Sequence, residues 1–352
     1  MPKESPHPNL YRLSVFTRLV SKAMNKIFLF LFSILVYQPI WAESLVEGET
    51  LKTVRDRGLL NCGVGSNDTG FSTQTTDGEW VGFDVDFCRA IAVAVLNNSQ
   101  AVEFVPLDSL TRFEALQSGY VDVLIRTTTW TYERDTNMGL DFVGISLFDS
   151  QSILVQSQSQ IQSKEDLVGR TICTNEGTTS AVNLSKFLMR ENINAETLIL
   201  STQEGRWRAF LNQECDAVTA DRSDLQAKIA TLSTEDYAFL PDIIAAEPLG
   251  PVVRDADRQW FDIVKWSLFA LVKAEDEGIT KNNMGTLPSD IKNLPSAQLG
   301  LRDDWAMKMI GAIGNYGEVF ERNLGSGSVL KLDRGQNNLV KNGGLQYAMP
   351  FQ

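Results

Sequence analysis

A repeated alternation of strands and helices is the feature that most restricts the fold of this chain. In the first half, the sequence predicts buried strands in three segments, 59–64, 102–105 and 121–125. The second half repeats the order, with predicted strands at 171–173, 198–201 and 215–221. The stretch 115–123 also resembles the stretch 210–218. Strands that alternate with helices build parallel sheets covered by helices, so we expect two similar α/β lobes.

Two apolar segments with high β-propensity link these halves. Residues 142–154 lead from the first half into the second, and residues 247–253 lead back. Two crossing strands predict a pair of lobes with a cleft between them, where a ligand can bind. We therefore assign lobe one to 43–146 and 248–352, including a C-terminal extension, and lobe two to 147–247.

The N-terminus is predicted to be a signal peptide, residues 1–42. Lys22 and Lys26 precede an apolar run, 27–37, and the small residue Ala42 ends the segment. An apolar run of this length is too short to span a bilayer as a helix. The alternatives are a membrane anchor or a buried core helix. Cleavage after residue 42 would release an exported chain.

Charge and histidine content exclude several functions. Without residues 1–42 the chain has 27 Lys and Arg against 43 Asp and Glu, a formal net charge of −16. Such an acidic surface repels nucleic acid and anionic lipid. The single histidine, His7, lies in the expected signal peptide, which excludes Ser-His and Cys-His catalysis and the usual zinc ligands. We expect no metal and no cofactor.

The cysteines indicate two disulfide bonds. Cys62 and Cys88 lie in the first half of the chain, and Cys173 and Cys215 lie in the second. An even number of cysteines in an oxidising compartment, without a CxxC motif, favours disulfides over a metal site. Three pairings are possible, and we favour Cys62–Cys88 and Cys173–Cys215, one in each lobe. Free buried thiols are the alternative.

Polar residues follow the predicted strands at the ends where open parallel sheets bind ligands. Arg134 can hold a carboxylate through two parallel hydrogen bonds. Thr127 and Thr129 alternate along what we expect to be an extended stretch, so both hydroxyls face one side. The segment 175–180 leads into a helix whose free N–H groups suit an anion. Asp221, in the second half, can accept an ammonium group, so two lobes would hold a zwitterion jointly and close around it.

Each of these features has an ordinary alternative. A threonine-rich strand end is often only the edge of a sheet, and Arg134 can form a surface salt bridge. Gly177–Thr179 can be only a helix cap, and Asp221 can cap the helix that follows it. By the same reasoning, Asp84 or Asp86 is expected to cap the helix after residue 86. Only the combination of these features, in this order, is specific.

Six segments together resemble the family-3 extracellular solute-binding proteins, and in particular the general L-amino-acid-binding subgroup: Gly82–Asp86, Thr127–Arg134, Gly177–Thr179, Asp216–Asp221, Glu247–Arg254 and Gly314–Arg322. The resemblance implies a two-lobed, type II periplasmic-binding-protein fold of class α/β. It also implies the periplasmic substrate-binding component of an amino-acid ABC importer. The implied partners are free L-amino acids and an inner-membrane ABC permease, and the implied state is a monomer.

The resemblance also implies roles for five residues. Arg134 and Thr129 would bind the α-carboxylate of the amino acid, assisted by the backbone N–H of Thr179. Asp221 would bind the α-ammonium group, assisted by the backbone carbonyl of Thr127. These roles agree with the zwitterion site inferred above from the residues alone.

The ligand side chain is expected to contact a second group of residues. Many relatives place an aromatic residue three positions before Phe71, where this chain has Asp68. Phe71 itself is retained and would be a wall of the site or a direct contact. Asp68 would favour amide or basic side chains, and Arg126 and Glu176 would add polar contacts. The alternative is that these three charges are solvated at the rim of the cleft. The Gly82–Asp86 segment is expected to be a packing and capping device, without ligand contact.

Two other functions remain open from the sequence. A dehydratase acting on a prephenate-like acid can use the same fold, with Asp68, Glu133, Glu176 or Asp221 as the acid or base. The sensing domain of a receptor is the second, but it normally needs a membrane span after the domain, and we find no such segment before residue 352. We expect a binding protein rather than an enzyme.

Overall fold

Strands and helices alternate along the chain as the sequence predicts. The computed structural model describes residues 48–232, 236–284 and 289–351, and the expected signal peptide lies outside the described residues. The strands are β1 (Leu60–Val64), β2 (Thr73–Gln74), β3 (Trp80–Val81), β4 (Val102–Pro106), β5 (Val123–Leu124), β6 (Leu140–Phe142), β7 (Leu147–Gln156), β8 (Thr171–Asn175), β9 (Glu196–Leu200), β10 (Ala217–Asp221), β11 (Tyr237–Leu249) and β12 (Val252–Arg254). The α-helices are α1 (Glu49–Arg57), α2 (Phe83–Leu96), α3 (Arg112–Gln117), α4 (Tyr132–Asn137), α5 (Thr179–Arg190), α6 (Gln203–Leu211), α7 (Arg222–Leu232), α8 (Arg258–Asp276), α9 (Trp305–Ile313) and α10 (Tyr316–Asn323). None of these helices is both long enough and apolar enough to cross a membrane.

Two five-stranded sheets share one topology. The first has the order β4-β1-β5-β12-β6 and the second the order β9-β8-β10-β7-β11. In each sheet the first three strands are parallel, and the last two pair antiparallel with their neighbours. Parallel neighbours need a crossover, which the helices provide. We call the first sheet with its helices lobe one, and the second sheet with its helices lobe two.

The two connections between the sheets are short and lie against each other. Residues 143–146 join β6 to β7, and residues 250–251 join β11 to β12. A Cβ atom on Gly250 would lie 2.0 Å from the carbonyl oxygen of Gly144, so this contact requires glycine. The strands β7 and β11 then pair along most of their length inside lobe two.

Lobe one has the larger core. Its main cluster packs α1, α2, α8, α9 and α10 together and includes Trp260, Trp305 and Tyr316, all at most 2% exposed. The C-terminal extension therefore belongs to this core. Lobe two has two smaller clusters, one around Phe187 and one around Phe210. Successive residues of β7 alternate between these clusters, so they cover opposite faces of the sheet.

Both predicted disulfides are confirmed. Cys62 on β1 pairs with Cys88 on α2, with their Cα atoms 6.1 Å apart. Cys173 on β8 pairs with Cys215, just before β10, at 5.8 Å. Each bond therefore joins elements of a single lobe, and each is buried.

The predicted cap of α2 is wrong. The helix begins directly after Gly82, whose φ of 137° and close contact with Phe71 exclude a side chain there. Asp84 and Asp86 instead lie in the first turn, where the helix dipole favours negative charge. Asp86 pairs with Arg322 at 2.8 Å and so ties α2 to α10. Asp84 lies on the cleft side, as described below.

Candidate ligand-binding cleft

The loops after the strands of the two sheets meet across the lobes. The Ser109 hydroxyl, from lobe one, donates to the carbonyl of Glu176 in lobe two at 2.9 Å. Arg112 Nη2 donates to the carbonyl of the next residue, Gly177, at 3.3 Å. The cleft is therefore closed in this structure, and residues from both lobes form its walls.

Arg134 is buried where the sequence predicts a carboxylate-binding residue. It lies in α4 and is 7% exposed, and its Nη1 donates to the carbonyl of Thr129 at 2.8 Å. The guanidinium also lies over the ring of Phe113, 5.1 Å from its centroid. Burial lowers the pKa of Arg134, while Glu247 and Asp221 raise it. We find no ion pair to Arg134 among the described residues, so most of its N–H donors remain available to an anion.

A chain of hydroxyl groups connects both lobes to a buried carboxylate. Thr179 Oγ1 donates to Glu247 Oε2 at 3.1 Å, and the hydroxyls of Thr129 and Thr179 lie 3.3 Å apart. Asn183 Nδ2 donates to the other oxygen of Glu247 at 2.9 Å. Burial raises the pKa of Glu247, although these hydrogen bonds lower it.

Asp221 ends β10 at the cleft and has no partner among the described residues. Burial raises its pKa well above the ordinary range, and the nearby carboxylates of Glu247 and Asp149 raise it further. A carboxylate in such surroundings stays ionised only beside a cation and otherwise takes up a proton. An ammonium group of a ligand would supply that cation.

Asp221 does not cap the helix that follows it. Asp149, on the neighbouring strand β7, accepts hydrogen bonds from the backbone N–H and hydroxyl of Ser223 in the first turn of α7. It also accepts one from the N–H of Ser150 at 2.7 Å. Burial raises the pKa of Asp149 to about 6, although these hydrogen bonds lower it. Asp149 therefore takes the capping role that the sequence allowed for Asp221.

A small cavity of about 10 Å³ lies where the lobes meet, roughly the space of one water molecule. Its lining includes Phe71, Asp84, Arg126 and Thr127. The backbone N–H of Thr127 donates to Asp84 Oδ2 at 3.3 Å. Burial and then the charge of Asp68 raise the pKa of Asp84 to about 7, although Thr127 and Arg126 lower it.

The expected extended stretch through Thr127 and Thr129 is wrong. Thr127 has a φ of 38°, which is left-handed, so the chain turns sharply after β5. Thr129 then forms an isolated bridge with Leu249 of the return crossing. The turn, rather than strand alternation, decides where the two hydroxyls lie.

Asp68 lies beside lobe two. A hydrogen bond from Gln203 and the charges of Arg126 and Arg206 lower its pKa, but burial, the largest effect, raises it. Arg206 itself is 3% exposed and donates to Asp224 at 2.6 Å. Asp68 therefore faces a polar wall from α6 and α7 rather than solvent.

The structure separates Glu176 from the other predicted residues. Its side chain is exposed, and only its backbone carbonyl takes part in the contact between lobes. Phe71, by contrast, is 2% exposed and packs edge-on against Phe83, with ring centroids 6.5 Å apart. Phe71 therefore forms a wall of the cavity from the lobe-one side.

Four residues at the cleft were not predicted as ligand contacts: Arg112, Asp84, Asp149 and Glu247. Two of them carried a signal in the sequence. Asp149 and Glu247 are isolated carboxylates in the apolar crossing segments, where a charge is costly unless it has a function. Arg112 and Asp84 lie in first turns of ordinary helices, and nothing local distinguishes them. Within the described residues, we find no cluster of His, Cys, Asp and Glu suited to a metal ion.

Comparison with known proteins identifies the family. The sequence model of the bacterial extracellular solute-binding proteins, family 3, matches residues 60–281. The chain belongs to this family. It has the two-lobed, type II periplasmic-binding-protein fold that its sheet order and solved relatives share.

Several named members of family 3 are similar over nearly their whole length. The general L-amino acid-binding periplasmic protein AapJ of Rhizobium johnstonii is 41% identical over 322 residues, covering 88% of this chain and 94% of that protein. The glutamate/glutamine/aspartate/asparagine-binding protein BztA of Rhodobacter capsulatus is 42% identical over 315 residues, covering 86% and 93%. Both relatives are named as amino-acid-binding proteins.

A solved member gives the corresponding structural likeness. It is an ABC transporter periplasmic binding protein from Brucella ovis with glutathione bound. The two structures match with a TM-score of 0.84 and 42% sequence identity, covering 87% of this chain and all of the other. The likeness therefore includes the C-terminal extension as well as both lobes.

Proposed function

We propose that this chain binds free L-amino acids with broad specificity and delivers them to an ABC permease. The observation that carries the proposal is a pair of opposite charges from different lobes, the buried Arg134 and the half-buried Asp221. Neither forms an ion pair among the described residues, and each is costly to bury alone. A zwitterion with a carboxylate and an ammonium group neutralises both at once.

The ligand would be held by its backbone atoms. Arg134 and the Thr129 hydroxyl would bind the α-carboxylate, with the backbone N–H of Thr179 at the start of α5. Asp221 would bind the α-ammonium group, with the carbonyl of Thr127. Glu247 would add negative charge near the ammonium group and fix the Thr129 and Thr179 hydroxyls. These contacts hold only the α-carboxylate and α-ammonium groups, and we call the residues that make them the amino-acid cradle. The side chain of the ligand lies outside this cradle, so many amino acids would fit.

The side chain would extend toward a mixed polar wall. Phe71 would supply an apolar surface, and Asp68 and Arg126 would supply charges of both signs. The exposed carboxylate of Glu176 would act at most at the rim. This mixture agrees with relatives that are named for general L-amino-acid binding and for acidic and amide amino acids.

Lobe movement would couple binding to transport. We assign lobe one to 43–146 and 248–352, and lobe two to 147–247, with the two crossings as the hinge. A ligand that contacts both lobes stabilises the closed form, which a permease can then recognise. The names of AapJ and of the Brucella ovis protein include the word periplasmic, and we infer a periplasmic location for this chain after removal of residues 1–42. It would act as a monomer, without a cofactor.

We infer that the chain has no enzymatic activity of its own. The dehydratase alternative receives no support from the comparisons, because the relatives named above are binding proteins. Asp221 is better explained as an ammonium ligand than as a general base.

A thermal-shift screen tests the proposal directly. The mature protein would be mixed with each of the twenty L-amino acids, several dicarboxylic and aromatic acids, and glutathione, which is bound by the Brucella ovis relative. A ligand at 100 times its dissociation constant adds about 2.7 kcal/mol to the free energy of unfolding. Shifts with many L-amino acids are expected. A response confined to acids that lack an amino group would contradict the role of Asp221 and the proposal with it.

A further inference from the structure

Two arginines of lobe one remain without a role in the amino-acid cradle. Arg112, the first residue of α3, is 3% exposed. One of its terminal nitrogens donates to the carbonyl of Gly177 at 3.3 Å, and its Nε is buried without an acceptor. We find no ion pair to Arg112 among the described residues. A guanidinium has five N–H donors, so this buried cation is far from satisfied.

Arg126 is the second of these arginines. It follows β5 at the end of the sheet where ligands bind, and it lines the cavity between the lobes. Its Nε donates to the carbonyl of Leu107 at 2.8 Å, which fixes the direction of the side chain. Neither terminal nitrogen has a hydrogen-bond partner among the described residues. The edge of the guanidinium that suits a bidentate carboxylate is therefore free.

These arginines lie beside Arg134. The guanidinium groups of Arg112 and Arg134 both lie over the ring of Phe113, at 4.7 and 5.1 Å from its centroid. Burial lowers the pKa of Arg112, and the positive charges of Arg126 and Arg134 lower it further. Three cations therefore surround one corner of the cleft, and one α-carboxylate cannot neutralise all of them.

The carboxylates of the protein do not complete the pairing. Asp68 and Asp84 lie close enough to Arg126 to interact with its charge, and neither forms an ion pair with it among the described residues. Burial raises the pKa of both, so Asp84, with a pKa of about 7, is protonated for much of the time at neutral pH. The positive charge at this corner is thus left for a ligand to neutralise.

We propose that Arg112 and Arg126 form a second anion subsite, which binds a second carboxylate of the ligand. Among the ligands that the cleft accepts, this subsite would favour α-amino acids that have a further carboxylate. Two sources fit this chemistry: the side chain of a dicarboxylic amino acid, and the distal carboxylate of a γ-glutamyl peptide. The proposal rests on the amino-acid-binding function proposed above and makes it specific.

A purely structural role predicts a different result. Arg112 bridges the lobes through Gly177, so its loss can weaken closure for every ligand alike. A second subsite instead predicts a loss that depends on the ligand. The test is therefore the coupling between a variant and the presence of a second carboxylate, as in a double-mutant cycle.

Isothermal titration calorimetry on protein expressed as the full chain and purified from the periplasm gives this coupling. The probes are L-glutamate, L-glutamine and S-methylglutathione, whose blocked thiol cannot exchange with the two disulfides. The variants are Arg126→Gln, Arg112→Gln and the charge-retaining Arg112→Lys, with Arg258→Gln as a control at a side chain that is 75% exposed. We expect Arg126→Gln and Arg112→Gln to lower affinity for L-glutamate or S-methylglutathione at least tenfold. Affinity for L-glutamine should fall less than threefold.

The probes separate the two sources of the second carboxylate. A loss confined to L-glutamate assigns the subsite to dicarboxylic amino acids, and a loss confined to S-methylglutathione assigns it to γ-glutamyl peptides. Arg112→Lys should retain more affinity than Arg112→Gln for the affected probe. If Arg112→Gln does not fold, Arg126→Gln and Arg112→Lys still decide the question.

Three results would overturn the subsite. An equal loss for L-glutamine and the two-carboxylate probes assigns both arginines a structural or closing role. Unchanged affinity in all variants removes them from the site. Binding of neutral L-amino acids without any binding of L-glutamate or S-methylglutathione rejects the subsite and leaves the proposed function intact, whereas failure of every amino acid rejects the proposed function itself.

Discussion

The two lobes share a sheet topology but place opposite charges at the cleft. Lobe one supplies the guanidinium groups of Arg126 and Arg134, and lobe two supplies the carboxylates of Asp149 and Asp221. The shared topology decides only that residues after the central strands meet at the cleft. The side chains at those positions decide that each lobe offers a charge complementary to one half of a zwitterion. A duplicated fold can therefore make an asymmetric site.

The lobes differ in their cores as well. The main cluster of lobe one includes residues from five helices and the C-terminal extension. Lobe two has two small clusters on opposite faces of its sheet. Each lobe nevertheless has one buried disulfide. We therefore expect the larger core to contribute more to the stability of lobe one, and we expect lobe two to depend more on its disulfide.

The strongest test of the opposite charges at the cleft is to remove one charge from each lobe. We expect Arg134→Ala and Asp221→Asn each to lower the affinity for an L-amino acid at least a hundredfold, about 2.7 kcal/mol. Each change leaves one buried charge of the ligand without its partner. Calorimetry measures the loss, with Arg258→Ala as the exposed control. A loss below about tenfold (1.4 kcal/mol) for either variant would contradict its assigned role.

The pH dependence of the free energy of unfolding tests the protonation of Asp84 in lobe one. Its pKa rises from 3.8 to about 7 on folding, so the folded protein keeps this proton where the unfolded chain has lost it. The contribution of Asp84 to stability is full below pH 3.8, falls as the pH rises to about 7, and stays constant above that. Relative to Asp84→Asn, the wild type should lose up to about 4 kcal/mol across this interval.

Urea denaturation at several pH values between 4 and 8 measures this difference. Asp77→Asn, an exposed change in the same lobe, serves as the control. Parallel pH profiles for the wild type and Asp84→Asn would contradict the expected titration.

Removal of each disulfide tests whether lobe two depends more on its disulfide than lobe one does. Replacing Cys62 and Cys88 by alanine opens a loop with a sequence separation of 26, and replacing Cys173 and Cys215 opens one of 42. Loop entropy predicts losses of about 3.5 and about 4 kcal/mol. Hydrogen exchange should show reduced protection in lobe two for the Cys173/Cys215 variant. The Cys62/Cys88 variant should lose less protection in lobe one, because the larger core there still stabilises the fold. Equal protection of both lobes in the Cys173/Cys215 variant would remove the distinction.

The smallest expected effect separates two carboxylates of lobe two. Asp149→Ala removes the cap of α7 and should lower stability by about 1 kcal/mol. Asp221→Asn removes no hydrogen bond among the described residues, so the stability of the ligand-free protein should stay equal or rise. Thermal melting without ligand compares the two variants. A larger loss for Asp221→Asn would make Asp221 the structural residue.

Much of the fold could be predicted from the sequence because its signals are local. Apolar strands, intervening helices and the similar stretches 115–123 and 210–218 indicated two α/β lobes. The cysteine positions favoured one disulfide in each lobe, and the structure has both. Arg134 and Asp221 were also visible, because each follows a predicted strand at the end where ligands bind.

Other parts of the site depended on contacts between distant segments. From the sequence, Asp221 was a possible cap of α7, but β7 pairs with β10 and brings Asp149 to that position. The stretch through Thr127 was expected to be extended, but the backbone turns there and directs an N–H to Asp84. Glu176 has the right residue type, but its side chain faces solvent.

The sequence by itself determined which charges each half of the chain offers and that parallel strands would bring them to one edge of each sheet. Only the tertiary structure decided which of those charges are buried and unpaired. Burial and pairing depend on the neighbour across the hinge, as for Glu247 between Thr179 and Asn183, or for Arg112 against Gly177. Local sequence carries no record of that neighbour, because the free energy of a charge is set by the atoms that surround it after folding.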